Sequence, residues 1–216
     1  MLKTWLFSVM FALALSQTPS PPQYPAIFSL QFFETQLTSF GNSSTYGQSF
    51  YDSTRGLYRQ DRFSGITDIM CALGLPMTGD SMCSHLVVSD QRYLYYPSLN
   101  SCCYCCNSTQ GCGALNQNWL TGAQYVGTDI IYGVQAYVWN QSGNFYYETA
   151  VPTPSQRTPL GVYRDQPGLL DYFEYLTFAP FNPSTAFVLP SECAVAPLCG
   201  GLCPIFRNST ATPVEL

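Results

Sequence analysis

After Lys3 this 216-residue sequence contains no lysine at all, and charge of either sign is scarce, with only 10% of residues charged. Seven arginines face thirteen acids beyond that lysine, a formal charge of −6. Such a balance argues against nucleic-acid binding, which needs a basic face to neutralise phosphates. It equally argues against electrostatic attraction to anionic membranes. Histidine occurs once, as His85. There is no G-x-S-x-G elbow, no H-E-x-x-H and no glycine-rich phosphate loop. A hydrolase would have to build a site around His85 from residues distant in sequence, so the chain is not expected to be an enzyme. No internal repeat is found. No run beyond the first residues is long and uncharged enough to span a bilayer, which takes about 20 residues.

What is present begins with a secretory pattern. Lys3 is followed by an apolar run from Trp5 to Leu15, and Ala14 and Ser16 place small residues at the −3 and −1 positions of a cleavage site. Residues 1–16 are predicted to be a signal peptide, and 17–25, with four prolines, a spacer. Residues 26–207 are expected to form one domain, followed by a polar tail over 208–216. The predicted location is extracellular or the lumen of the secretory pathway. Four acceptor sequons, at Asn42, Asn107, Asn140 and Asn208, predict a glycoprotein, in which sugar supplies the solubility that charge does not.

Ten cysteines in an exported chain predict disulfides rather than a metal cluster. They are Cys71, Cys83, Cys102, Cys103, Cys105, Cys106, Cys112, Cys193, Cys199 and Cys203, five of them within Cys102–Gly113. Cys-Cys-x-Cys-Cys is too dense for one tetrahedral zinc site to use fully. Neighbours on a strand point to opposite faces. Cys102 and Cys103 should therefore bridge to different partners, while Cys103 shares a side with Cys105 and Cys102 with Cys106. Seven cysteines precede position 113 and three follow position 192, so full pairing forces an odd number of bridges between the two groups. Pairing itself is left open by the spacing.

Strand signals dominate the rest. Alternating or β-branched runs over Phe28–Leu37, Tyr46–Asp52, Leu57–Phe63, His85–Ser89, Arg92–Tyr96, Leu160–Arg164 and Leu169–Phe178 are separated by turn residues. Leu115–Ala123 is the best helix candidate, and Ile66–Leu75 has no clear period. Gly133–Asn140 and Asn144–Val151 form the strongest hairpin, joined by Gln141-Ser142-Gly143. A three-residue loop would set Trp139 opposite Phe145 and Tyr137 opposite Tyr147, four aromatics on one face. The fold class is thus mainly β, an antiparallel sheet stapled by disulfides and closed or covered on its apolar side.

Several stretches carry a family resemblance. Tyr51-Asp52 with Arg55, Arg59 and Arg62 resembles the early strands of ependymin-related secreted proteins, and LLDYFEYLTFAPFNPSTAFVLPSEC resembles their closing segment. The cysteine stretch with GVQAYVW and NFYYET is similar to secreted proteins of plants and protists bearing the same knot. What the resemblance implies is a strongly curved half-barrel, like that of the bacterial LolA-type lipoprotein carriers, with short helical cover. It further implies apolar ligands in the concave face, homodimers and, for ependymins, calcium. Asp129, Asp165, Asp171 and Glu174 are the acids at hand for calcium, without a recognisable loop motif; no other cofactor or metal is expected.

Two functional expectations follow. In one, Tyr137, Trp139, Phe145 and Tyr147 wall a cavity for an apolar or amphipathic small molecule; Arg55, Arg59 and Arg62 either anchor an acidic head group or, in the favoured reading, mark an exposed strand edge. In the other, those rings are plain core and the protein is an extracellular structural or recognition module.

Overall fold

The computed structural model describes residues 18–38, 41–76, 78–166 and 169–208. The predicted signal peptide and the tail after Asn208 lie outside these residues, as do the side chains of Asp165, Asp171 and Glu174.

Alternation sets the first strand: Phe28, Leu30, Phe32 and Glu34 are buried, and the residues between them are more exposed. The strands of the first half are β1 (Ile27–Thr38), β2 (Gly41–Asp52), β3 (Leu57–Arg62), β4 (Cys83–Val88), β5 (Gln91–Tyr96) and β6 (Ser101–Asn107). Those of the second are β7 (Gln124–Ile131), β8 (Val134–Gln141), β9 (Asn144–Thr149), β10 (Pro159–Gln166) and β11 (Leu169–Tyr175). All pair antiparallel in one sheet of order β6-β5-β4-β3-β2-β1-β11-β10-β9-β8-β7. The two halves are consecutive meanders, joined where β1 pairs with β11.

One face of this sheet closes over itself. Tyr24, in the segment before β1, lies 5.5 Å from the Tyr51 ring on β2 and 5.9 Å from the Tyr146 ring on β9. In a flat sheet β2 and β9, four places apart, would be separated by about 19 Å. A single side chain touches both because the sheet bends around it, giving the curved, mainly β architecture that was expected.

Short helices cover the inner face. Helix α1 (Ile69–Gly74) is capped by Asp68, whose carboxylate accepts from the Cys71 amide at 2.9 Å. Where a helix was predicted over Leu115–Ala123, only one 3-10 turn forms, Gln117–Leu120, and the chain then enters β7, a strand absent from the prediction. Gly122, at φ 82°, ends the turn. The proline-rich 18–25 segment is more than a spacer. Tyr24 is buried, and the Ser20 carbonyl accepts from Arg157 at 2.8 Å.

After β11 the chain becomes a strap. It bridges Ser29 through Ala179, donates from Asn182 Nδ2 to the Tyr51 carbonyl at 2.8 Å, and receives Arg59 Nη1 on the Ala186 carbonyl at 3.2 Å. These contacts carry it across the outer face to Cys193, which packs with Leu86, Tyr93 and Cys102. It then runs beside β6, with the Tyr104 amide donating to Pro197 and the Cys199 amide to Tyr104, both at 2.8 Å. Helix α2 (Cys203–Asn208) ends it on the inner side.

Five bridges fix this course: Cys71–Cys83, Cys102–Cys193, Cys103–Cys199, Cys105–Cys203 and Cys106–Cys112. Three of them join the early and late groups, an odd number, and Cys102 and Cys103 part to opposite faces. Cys106 does not side with Cys102 as predicted. A bulge opposite Arg92/Tyr93 adds one residue to β6, so Cys103, Cys105 and Cys106 all join the inner cluster.

Candidate functional site

The inner face divides into an aromatic half and a charged half. The aromatic half depends on the register of the β8–β9 hairpin. Ser142 (φ 53°) and Gly143 (φ 89°) both take left-handed backbone, and Gln141 pairs with Asn144. This is a two-residue turn of the type that suits strand twist, not the three-residue loop expected from the sequence. The register slips by one residue, and such a slip turns a whole strand over. Trp139 therefore faces Tyr146, and Tyr137 faces Glu148. Tyr137 and Trp139 stay on the inner face, whereas Phe145 and Tyr147 leave it. Phe145 instead packs on Tyr163, 5.7 Å away.

These inner-face rings pack closely around one of their number. Tyr24 stands at the centre, edge-on to Phe28 (5.5 Å), Trp119 (5.6 Å) and Tyr146 (5.9 Å) as well as Tyr51. Each such pair contributes about 0.5–1.5 kcal/mol beyond its buried area. Leu120 and Ala123, from the β6–β7 connection, complete the cluster. The Tyr51 hydroxyl donates to the Leu115 carbonyl at 2.8 Å and holds that connection down.

A free volume lies at the mouth of this half. A cleft of about 660 Å³ opens between the 22–26 segment, the Gln117–Leu120 turn, residues 154–158 and Phe178. Tyr24, Leu120 and Phe178 belong both to the cleft wall and to the aromatic cluster. Arg157 forms the far wall. Its guanidinium donates to the carbonyls of Ser20, Val151 and Pro152 and to Glu148 Oε1 at 2.8 Å, and it lies 5.0 Å over the Tyr137 ring. Glu148 Oε1 also accepts from Trp139 Nε1 at 2.9 Å. Burial raises the Glu148 carboxyl above its ordinary range, against the pull of Arg157 and Trp139.

The charged half is a chain of side chains that sequence reasoning did not assemble. Arg62 Nε donates to Glu34 at 2.7 Å, and Arg62 Nη1 lies 3.3 Å from Asp68. His85 Nε2 is 3.2 Å from Asp68 Oδ1, and Arg92 Nη1 is 3.1 Å from His85 Nδ1. Arg92 ends the chain on the carbonyls of Cys112 and Gly113 at 3.0 and 2.9 Å. A guanidinium can only donate, so Nδ1 of His85 accepts and Nε2 carries the proton. Burial lowers the His85 pKa, Arg62 and Arg92 reinforce this, and Asp68 opposes it. Both ring nitrogens are thus occupied by charged side chains, and among the described residues no hydroxyl or thiol nucleophile holds either one. Burial also raises the Glu34 carboxyl, partly offset by Arg62, and attraction to Arg62 and His85 outweighs burial to keep Asp68 well below the usual range.

The three arginines offered as a head-group anchor do not converge. Arg55 pairs with Asp52 at 2.7 Å in the β2–β3 turn, Arg59 pairs with Asp61 at 2.8 Å on the outer face, and Arg62 points inward. Asp129, considered for calcium, instead accepts from the Ile130 amide at 2.7 Å on β7. Among the sequons, Asn42 and Asn208 are exposed. Asn107 and Asn140 are half-buried, with their side-chain oxygens accepting from the amides of Gln110 and Gly143.

No family model matches the chain, and no curated protein matches it. Among solved structures it is similar to an uncharacterized conserved protein from Thermus thermophilus, with TM-score 0.46 and 9% identity over 78% of this chain and 88% of that one. It is also similar to a LolA superfamily protein from Nitrosomonas europaea, with TM-score 0.41 and 11% identity over 77% and 92%. A third is LprF from Mycobacterium bovis, with TM-score 0.41 and 10% identity over 77% and 90%. Likeness of this degree bears on neither ligand nor partner.

Proposed function

We propose that this chain is a secreted glycoprotein that binds an apolar or amphipathic small molecule at the aromatic end of its curved sheet. The observation that carries this reading is the 660 Å³ mouth cleft whose wall, through Tyr24, Leu120 and Phe178, is continuous with the aromatic cluster. That volume falls within the few hundred to about 1,000 Å³ usual for small-molecule sites. Tyr137 and Trp139 lie deeper on the same face; Phe145 and Tyr147, turned outward, drop out of the site. The signal-like start, the sequons and five bridges support export. The test is titration with a fluorescent polyene fatty chain, read by energy transfer from the tryptophans. Saturable transfer at one probe per chain, lost in Leu120→Arg, is expected; absence of transfer in the folded wild-type chain overturns the reading.

A second reading has its own observation. Ile66, Ile69, Leu73 and Leu198 are exposed around the knotted end, and Leu73 and Leu198 border a shallow groove of about 510 Å³. Such a patch suits a recognition module with a filled interior. Self-association in sedimentation, abolished by Leu73→Glu, together with no probe binding would favour it.

A further inference from the structure

Two buried polar atoms in the aromatic half have no hydrogen-bond partner among the described residues: the indole N–H of Trp119 and Oε2 of Glu148. Trp119 is 8% exposed and Glu148 fully buried. Unmet polar atoms are costly in a protein interior, by about 1–3 kcal/mol each, and each calls for an explanation.

Their placement links them to the cleft. The Trp119 ring lies 5.9 Å from the Tyr146 ring, and Glu148 is two residues along β9 on the same face as Tyr146. Leu120, next to Trp119, and Arg157, bonded to the other Glu148 oxygen, both line the cleft. Tyr24 lines the cleft and packs edge-on against both Trp119 and Tyr146, while its hydroxyl shares a hydrogen bond with Tyr175. It is an aromatic ring bearing one hydroxyl, brought in by a segment without regular secondary structure.

The two atoms differ in what they require. The indole N–H only donates, and a carboxylate oxygen only accepts. A hydroxyl satisfies both, since it accepts through a lone pair and donates through its proton. A fatty-acid carboxylate would accept from Trp119 but set its negative charge against Glu148. An ether or ester oxygen would leave Glu148 unmet.

We propose that the cleft takes amphipathic molecules headed by a hydroxyl, long-chain alcohols or sterol-like alcohols, with that hydroxyl placed at Trp119 Nε1 and Glu148 Oε2 and the Tyr24 ring displaced by the ligand. This inference rests on the binding function proposed above and names its ligand class.

The test is competition against the bound polyene probe at pH 7.5 by three chains of equal length: 1-hexadecanol, hexadecyl methyl ether and palmitate. The alcohol should displace the probe at a concentration about three- to tenfold lower than either of the others, the value of one hydrogen bond. Glu148→Gln should tighten palmitate and close its gap to the alcohol. Trp119→Phe should weaken all three, since each sets an oxygen at the indole N–H. Tyr24→Ala should tighten all three. Because the wild-type series needs no substitution, misfolding of a variant does not decide the matter. Equal displacement by the three competitors, with the probe binding, overturns the hydroxyl assignment and leaves the binding function standing. No probe binding at all overturns both.

Discussion

The two ends of the sheet are closed by different means. At the β6 end, the strap covers the outer face, runs beside the edge strand and is bolted through Cys102–Cys193, Cys103–Cys199 and Cys105–Cys203. At the β7 to β9 end, none of the five bridges holds the cover. Tyr24, Trp119 and Leu120 are kept in place by ring contacts and a few hydrogen bonds from Arg157, Tyr51 and Gln117. Covalent closure suits an end that must not open, and closure by packing alone suits one that can. The cleft lies at the second.

The largest effect should come from cutting the covalent end. Replacing Cys193, Cys199 and Cys203 together by Ser should lower stability by at least about 4.5 kcal/mol, the loop entropy for a separation of 91 residues. The second and third bridges close far shorter additional loops and add less. Denaturant midpoints measure this, and the fraction that remains folded should keep its probe affinity. Next is Tyr24→Ala, expected to cost about 3 kcal/mol of stability while tightening probe binding. The two changes thus separate the ends: one moves stability alone, the other moves stability and affinity in opposite directions.

A smaller effect concerns pH. His85 is held below its unfolded value of 6.5, so as pH falls through 6.5 the unfolded chain takes up a proton before the folded one does. The stability that depends on neutral His85 is therefore full above 6.5 and is lost toward the lowered folded value. Asp68, depressed below 3.8, contributes stability above 3.8 that disappears on further acidification. Glu34 runs the other way, because its raised pKa favours the folded state only on the acid side. Urea midpoints should fall between pH 7.5 and 5.5 in the wild type, and His85→Gln should flatten that slope. The smallest effect is at Arg55, whose side chain is 61% exposed beside Asp52. Arg55→Ala should change stability by about 0.5 kcal/mol or less and leave affinity alone. A larger effect there would mean that the β2–β3 turn belongs to the site.

Much of the sheet was legible because period-two patterns and turn residues are local signals. The hairpins of β2–β3 and β4–β5 and the long β1 follow from alternation and from turns such as Ser53–Gly56. Strand β7 escaped because Gly127, Thr128 and Asp129 interrupt any apolar alternation in Gln124–Ile131, and its side chains are mostly exposed. The hairpin register turned on whether Gln141 belongs to the strand or to the loop, which composition does not reveal. One residue of difference turned Phe145 and Tyr147 off the inner face and Tyr146 and Glu148 onto it. Tyr24, which lines the cleft, and Trp119, which packs on Tyr24, sit in segments without periodicity. The ends of the Glu34–Arg62–Asp68–His85–Arg92 chain lie 58 positions apart in sequence; its one local trace is Glu34 falling in phase with Phe28, Leu30 and Phe32.

The central claim, that the packed and unbolted end admits a greasy guest, is tested most directly by native mass spectrometry of the purified, disulfide-bonded chain. A population carrying one lipid-sized adduct per chain, absent from Leu120→Arg, is the expected result. A wild-type chain that carries no adduct, even after incubation with excess 1-hexadecanol, would contradict it.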